Sequence, residues 1–288
     1  MKKFQCDAEN DCKITIDTIK IYLDNMNKRV KILDSSNISV QALEKIIYVA
    51  TVNQAGKIIV NTDISNLKIF TEAGFNIEGK IAGFFKGKDA YCLSYFIDSK
   101  RKIAANSVEK DMLVRQCIKK HGKYIAGGSN TLPYSIRTAT QRDIREIAAL
   151  FSAVFSTYPT PVYDEDYLSQ TMNRNVLYKI AELEGKIIGI ASADMDIVNL
   201  NAEMTDCATY AEYRGKGVLS NIINELESEL RNRNFITLYS LSRAINTGIN
   251  MVLCKHEYIY AGRLINNCNI CGAFEDMNIW TKNIHPIN

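Results

Sequence analysis

A chain of 288 residues is long enough for two domains of ordinary size, each with its own core. Its 47% hydrophobic and 23% charged residues describe a soluble globular protein, and no apolar run approaches the ~20 residues a membrane span needs. The net charge of +3 divides unevenly: residues 1–133 hold 21 basic and 14 acidic residues (+7), leaving 14 basic and 18 acidic (−4) for the rest. A negative C-terminal half disfavours nucleic acid as its substrate and suits a cationic one. The basic N-terminal half reads as a solvated surface.

The start, MKKFQCDAENDC, has two lysines but no apolar core behind them, so it does not read as a signal peptide and a cytoplasmic protein is expected. Eight cysteines scattered through the chain are expected to be reduced and to serve as small hydrophobes. Only Cys268 and Cys271 have metal-like spacing. With no second pair, hairpin packing is the expectation there and no metal is assigned.

In chain order, residues 17–35 alternate apolar and polar around IKIYL and RVKIL and read as a hairpin broken at Asp24–Asn27. Asn37 or Ser39 can cap a helix through VQALEKIIYVATVNQ. A short strand at Lys57–Val60 and a helix at Ile64–Ala73, stopped by Gly74, come next. Two strands, NIEGKIAGFFKG and AYCLSYFI, precede a charged amphipathic helix, SVEKDMLVRQCIKKHG. The stretch Gly127-Gly128-Ser129-Asn130, ending at Pro133, is the best linker and sets domains at 1–133 and 134–288.

The second unit opens with a strand at Tyr134–Thr140 and a helix at Gln141–Phe155. The segment 156–166 carries two prolines, Tyr158, Tyr163 and the run Asp164-Glu165-Asp166. Two strands, NVLYKIAELEG and KIIGIASADMDI, lead into the stretch that organises the chain, AEMTDCATYAEYRGKGVLSNIINELE (202–227). It reads as a strand, a glycine turn at Arg214-Gly215-Lys216-Gly217 and a helix with Ile222, Ile223, Leu226 and Leu230 on one face. Such a turn aims backbone N–H groups at a helix N-terminus, where an anion is favoured, and glycines allow close approach to a phosphate. A strand at Phe235–Leu241, a helix at Ile249–Cys254 and a last hairpin, YIYAGRLINN/EDMNIWTK, complete the chain.

The order β-α-α-β-β-β-α-β-α-β-β, with an anion-type turn after the fourth strand, resembles the GNAT family of acetyl-CoA-dependent N-acetyltransferases over residues 134–288. The family motif Arg/Gln-x-x-Gly-x-Gly/Ala is met at Arg214 and Gly217 and departs at Leu219. The resemblance implies an α/β (α+β) fold with a mixed, mostly antiparallel central sheet flanked by helices. An internal echo, GFNIEGKI (74–81) against EYIYAGRL (257–264), aligns Gly79 with Gly262, so residues 1–133 read as a smaller, degenerate, non-catalytic GNAT-like domain. An unrelated α/β domain sharing one hairpin is the alternative. SRAINTGIN (242–250) and LINNCNICGAFEDMNIW (264–280), with the two-domain layout, resemble the β-lysine N-acetyltransferase subgroup. That resemblance implies acetylation of the side-chain amine of β-lysine, giving a compatible solute.

Acetyl transfer needs the cofactor held, the ammonium deprotonated and the leaving thiolate stabilised. Backbone N–H groups of Lys216, Gly217, Val218, Leu219 and Ser220 are candidates for the pyrophosphate, with Arg214, Gly215 and the charge of Lys216; an exposed basic turn is the bland alternative. The strand around Cys207, Ala208 and Thr209 is expected to pair with the pantetheine arm. Glu203, eleven residues before Arg214, is the candidate base, because a carboxylate on a buried strand has a raised pKa. Asp206 falls on the opposite face of an ideal strand and is the weaker candidate. The family tyrosine of the last helix aligns with Leu253, so Tyr258 or Tyr260 is left as the acid. Asn246 is either a cofactor contact or a helix cap. Tyr158, Tyr163, Asp164 and Arg243 are the acceptor candidates, with Asp164 equally readable as a cap and Arg243 as a carboxylate clamp. Other small amines, and a non-catalytic CoA-binding module, stay open, as does a homodimer.

Overall fold

A computed structural model of the chain describes residues 11–124 and 132–285; the stretch 127–130, read as the linker, lies outside the described residues. Alternating burial builds the first strands, β1 (Cys12–Ile16), β2 (Ile19–Asp24) and β3 (Arg29–Ile32), with Ile19, Ile21 and Leu23 buried on one face. The helix α1 (Val40–Val52) starts at Ser39, whose hydroxyl accepts the Ala42 N–H at 3.1 Å. Next come β4 (Lys57–Thr62), α2 (Ile64–Glu72), β5 (Asn76–Phe85), β6 (Lys88–Phe96) and α3 (Ser107–Ile118).

The C-terminal half comprises β7 (Ser135–Thr138), α4 (Ile144–Val154), α5 (Glu165–Met172), β8 (Val176–Leu183), β9 (Lys186–Asp196) and β10 (Asn201–Thr209). It continues with α6 (Val218–Asn232), β11 (Thr237–Arg243), α7 (Thr247–Lys255), β12 (Ile259–Ile270) and β13 (Ala273–Asn283). The apolar stripe of α6 is buried as its spacing requires, with Ile222, Ile223, Leu226 and Leu230 fully covered.

All thirteen described strands join one sheet, in the order β1-β2-β3-β4-β6-β5-β12-β13-β11-β10-β9-β8-β7. Two described pairs are parallel, β3 with β4 and β10 with β11; the others are antiparallel. The run β3-α1-β4-α2-β5-β6 repeats the connectivity of β10-α6-β11-α7-β12-β13. The two runs meet at Gly79 and Gly262, which pair with each other.

The halves are tied beyond that rung. Three consecutive carbonyls of β12 receive cations from the N-terminal half: Ile265 from Lys57 Nζ at 2.8 Å, Asn266 from Arg101 Nε at 3.0 Å and Asn267 from Arg29 Nη1 at 2.8 Å. Glu78 accepts the Ile265 N–H at 2.7 Å and pairs with Lys57, so the buried charges are compensated. The helix α3 precedes residue 133, yet Leu113 and Cys117 join the core formed by α6 and β9–β11. Lys110 of α3 also reaches Asp276 of β13 at 2.8 Å, both buried.

Two expectations about cysteine need correction or detail. Cys12 is disulfide-bonded, not a reduced thiol; it sits half-buried on the sheet's edge strand, packed against the N-terminal core. Cys268 is buried and accepts from Arg29 at 3.5 Å, whereas Cys271 is exposed in the turn, so the pair is split between core and surface. No helix among the described residues is long and apolar enough to cross a membrane.

Candidate active site

The site exists because two parallel strands part. β10 and β11 are paired only from Asn201–Glu203 against Thr237–Tyr239. Beyond that point β10 bulges between Thr205 and Ala208, and Asp206 adopts φ 47°. A bulge adds local twist and re-aims the side chains around it. The edge of β10 facing β11 is thereby freed over Cys207–Thr209, while Ala208 and Thr209 stay paired to β9 on the other side.

A cavity of about 630 Å³ fills the gap, lined along β10 and β11 and closed by the turn before α6 and the start of α7. That size suits a cofactor-length ligand. Cys207, Thr209, Arg214, Gly215, Gly217, Val218, Leu219, Ser220, Asn246 and Arg243 all line it. Gly215 (φ 74°) and Gly217 (φ 79°) adopt the left-handed backbone that the turn into α6 requires, and nothing obstructs Gly215 within 4 Å. Thr209 lines the cavity, and its hydroxyl is buried with no hydrogen-bond partner. An orphaned buried hydroxyl, a free strand edge and an open helix N-terminus together fit the amide-rich arm and phosphates of acetyl-CoA.

Of the expected cofactor residues, Ala208 and Lys216 do not line the cavity, and Arg214, Ser220 and Asn246 line it while bonded within the protein. Ala208 is buried against α4 and the core beneath it. The Lys216 ammonium lies over the Tyr213 ring at 5.6 Å, outside the cavity lining. Arg214 donates to the Thr209 carbonyl at 3.1 Å and so braces the turn. The Ser220 hydroxyl bonds His256 Nε2 at 2.8 Å, and the Tyr124 ring stacks on that histidine at 4.0 Å. Asn246 is the cap of α7, accepting from Gly248 at 3.0 Å and Ile249 at 3.4 Å.

A second cavity, of about 320 Å³, adjoins the first and shares with it Tyr158, Thr205, Asp206, Leu241, Ile270 and Met277. Glu203 opens into this second space, with Tyr239 donating to it at 3.3 Å. Burial, reinforced by the Asp194 charge and opposed by Lys31, pushes the Glu203 carboxyl up to about 7. Asp206 is also pushed up to about 6 by burial, although Ser192 donates to it at 2.7 Å. Asp206 therefore does not point away from Glu203, as strict strand alternation implies; the bulge brings it to the wall common to both cavities.

Of the acceptor candidates, Tyr158 lines both cavities. Asp164 is exposed and caps α5, accepting the Tyr167 N–H at 2.9 Å, and it lines neither cavity. Tyr163 also lines neither, its hydroxyl being buried without a partner. Arg243 faces the larger cavity but already pairs with Glu275 at 2.7 Å. Tyr258, expected as the acid, is fully buried in the core, over which Lys282 lies at 5.7 Å; it does not line the cavity. The chain reverses just before it, at Glu257 (φ 69°), and turns its ring inward.

Sequence reasoning missed Asn250. Its carbonyl accepts from Ser242 (2.9 Å), Asn278 (2.8 Å) and Trp280 (2.8 Å), and its amide donates to the carbonyls of Arg243 and Asn246. This fully satisfied buried amide fixes the end of β11 and the start of α7 around the cavity. Asn residues within a helix usually signal nothing, so only the polar density of SRAINTGIN pointed to it. Arg29, Lys31 and Asn61 from the N-terminal half also line the smaller cavity, which no local pattern announced.

With this geometry stand the likenesses to known proteins. The model of the acetyltransferase (GNAT) family matches residues 143–248. The chain is 38% identical to a beta-lysine N(6)-acetyltransferase of Methanosarcina mazei, over 81% of this chain and 93% of that protein. It is 30% identical to a beta-lysine N(6)-acetyltransferase of Methanococcus maripaludis, over 93% and 97% of the respective chains. It is 33% identical to the N-acetyltransferase YodP of Bacillus subtilis, over 91% and 94%.

Proposed function

The chain belongs to the GNAT acetyltransferase family, and from that premise we propose that it moves the acetyl group of acetyl-CoA onto the side-chain amine of β-lysine (3,6-diaminohexanoate). One observation carries the reading: of two carboxyls pushed toward neutrality, Asp206 stands on the wall common to a cofactor-sized cavity and a smaller one, and Glu203 lines the smaller one. The names of the M. mazei and M. maripaludis relatives support the choice of amine.

An alkyl ammonium with a pKa near ~10.4 must shed a proton before it can attack. In this reading Glu203 takes that proton. Its raised pKa brings it close to the operating pH, where a base is both largely ionised and still basic. The amine lone pair then forms the C–N bond at the thioester carbonyl, the C–S bond breaks, and the second nitrogen proton passes to the departing sulfur, which leaves as the free thiol of CoA into the larger cavity. Asp206 lies at the crossing point and helps to hold the cation. The product keeps one ammonium and one carboxylate, and this neutral zwitterion has the charge state of a compatible solute.

The test follows thiol release from acetyl-CoA with a panel of amines: β-lysine, lysine, a polyamine and an aminoglycoside. β-Lysine with the highest kcat/KM supports the proposal. A higher value for any other amine replaces it.

A further inference from the structure

The smaller cavity is built by both halves of the chain. The sheet curls so that β3 and β4 face β10 and β11 across it. The C-terminal wall supplies carboxylates: Glu203, Asp206 and, at the more open end, Asp194. The N-terminal wall supplies cations, Arg29 and Lys31.

These two cations are in different situations. Arg29 is 6% exposed and committed, its Nε to Asp24 at 2.8 Å and its Nη1 to the Asn267 carbonyl at 2.8 Å. Lys31 has a loose pair with Asp24, at 3.4 Å, and lies over the Tyr22 ring at 5.5 Å, while Asp24 is already served by Arg29 and by the Asn27 amide at 2.7 Å. A third of the Lys31 side chain is open, and the residue lines the cavity. Removing Lys31 would leave Asp24 paired. An ammonium has three donors, so most of its capacity is unspent. Lys31 and Glu203 line this one small space from the two halves of the chain.

A diamino acid presents complementary ends: a carboxylate and, several carbons away, an amine. Resting on the β-lysine reading above, we propose that Lys31 binds the carboxylate of the acceptor and so orients its distal amine at Glu203. The N-terminal half, which has no anion-binding turn of its own, thereby completes the acceptor site and selects amino acids over plain diamines.

The experiment compares the full-length protein with Lys31→Met and Lys31→Arg on two substrate pairs. One pair is β-lysine and 1,4-diaminopentane, its counterpart lacking the carboxylate; the other is lysine and 1,5-diaminopentane. A charged hydrogen bond lost from a binding site corresponds to about 10- to 100-fold. The expected result is a loss of that size in kcat/KM for β-lysine with Lys31→Met, carried by KM, while 1,4-diaminopentane changes less than about threefold. Lys31→Arg should recover part of the discrimination. An equal loss on both members of a pair, or no loss on either, overturns the proposal. Failure of the wild type on β-lysine overturns the substrate reading alone, because the lysine pair still reads the carboxylate contact separately.

Discussion

Gly79 and Gly262 stand at the same place in two equivalent hairpins and are paired with each other. An added Cβ at Gly79 would come 2.7 Å from the Ala261 carbonyl, and one at Gly262 would come 2.5 Å from the Gly79 Cα. Gly262 also has φ 140°, a backbone that side chains rarely adopt. The close approach explains why the sequence repeats a glycine there: among the described residues it is the one paired rung between β5 and β12.

Gly262→Ala should therefore destabilise the fold by about 2–3 kcal/mol, through backbone clash and strain together. A urea titration followed by Trp280 fluorescence, this being the one tryptophan of the chain, would measure it. A loss below about 0.5 kcal/mol would mean that the rung yields freely.

Glu203→Gln should lower kcat/KM for the amine by about 10²- to 10⁴-fold while acetyl-CoA still binds. In the wild type, kcat/KM should rise with pH to a plateau above about 7, because the base works only when ionised. Stopped-time assays from pH 5 to 9 would show that limb in the wild type and its absence in the variant. A variant of undiminished rate would remove Glu203 from the mechanism.

The same carboxyl sets a stability trend of defined sign. Its folded pKa, about 7, lies above its ordinary value of 4.5, so the folded state holds the proton more tightly. The associated stability is present below pH 4.5 and is lost as pH rises through 7. Glu203→Gln should accordingly be more stable than wild type at pH 8, by about 1–2 kcal/mol after allowing for the part open to the cavity, and no more stable at pH 4. Denaturant midpoints at the two pH values compare them.

Arg214→Ala should raise the KM for acetyl-CoA by about 3- to 10-fold, because exposure weakens the charge and backbone donors remain. Part of that effect should persist at high salt, since Arg214 also braces the turn through the Thr209 carbonyl. Lys216→Ala, whose ammonium rests over Tyr213, should change KM less.

What could be read from the sequence was local. The apolar stripe of α6, the glycines before it and the strand carrying Glu203 are contiguous, and each has a period or turn chemistry of its own. Asp206 was misplaced because alternation assumes a regular strand, and a left-handed residue other than glycine leaves no mark in composition. Tyr258 stands as a candidate acid only because the family's tyrosine position holds Leu253; the chain turns at Glu257, and Tyr258 is buried in the core. Asp164 and Arg243 have the right charge for an amino acid ligand, but a helix N-terminus uses one and Glu275 the other. Arg29 and Lys31 lie more than 150 residues from the strand carrying Glu203, and only the curl of the sheet brings them to it.

The bulge at Asp206 is a phase shift in the alternation of side chains. Before it, the odd-numbered Glu203 lines the smaller cavity; at it, the even-numbered Asp206 stands on the same side. Deleting a single residue between Thr205 and Ala208 would return β10 to regular alternation. The strand could then zip against β11 along its length, filling the space for both substrates with ordinary sheet. The gap between β10 and β11 thus hangs on one surplus residue.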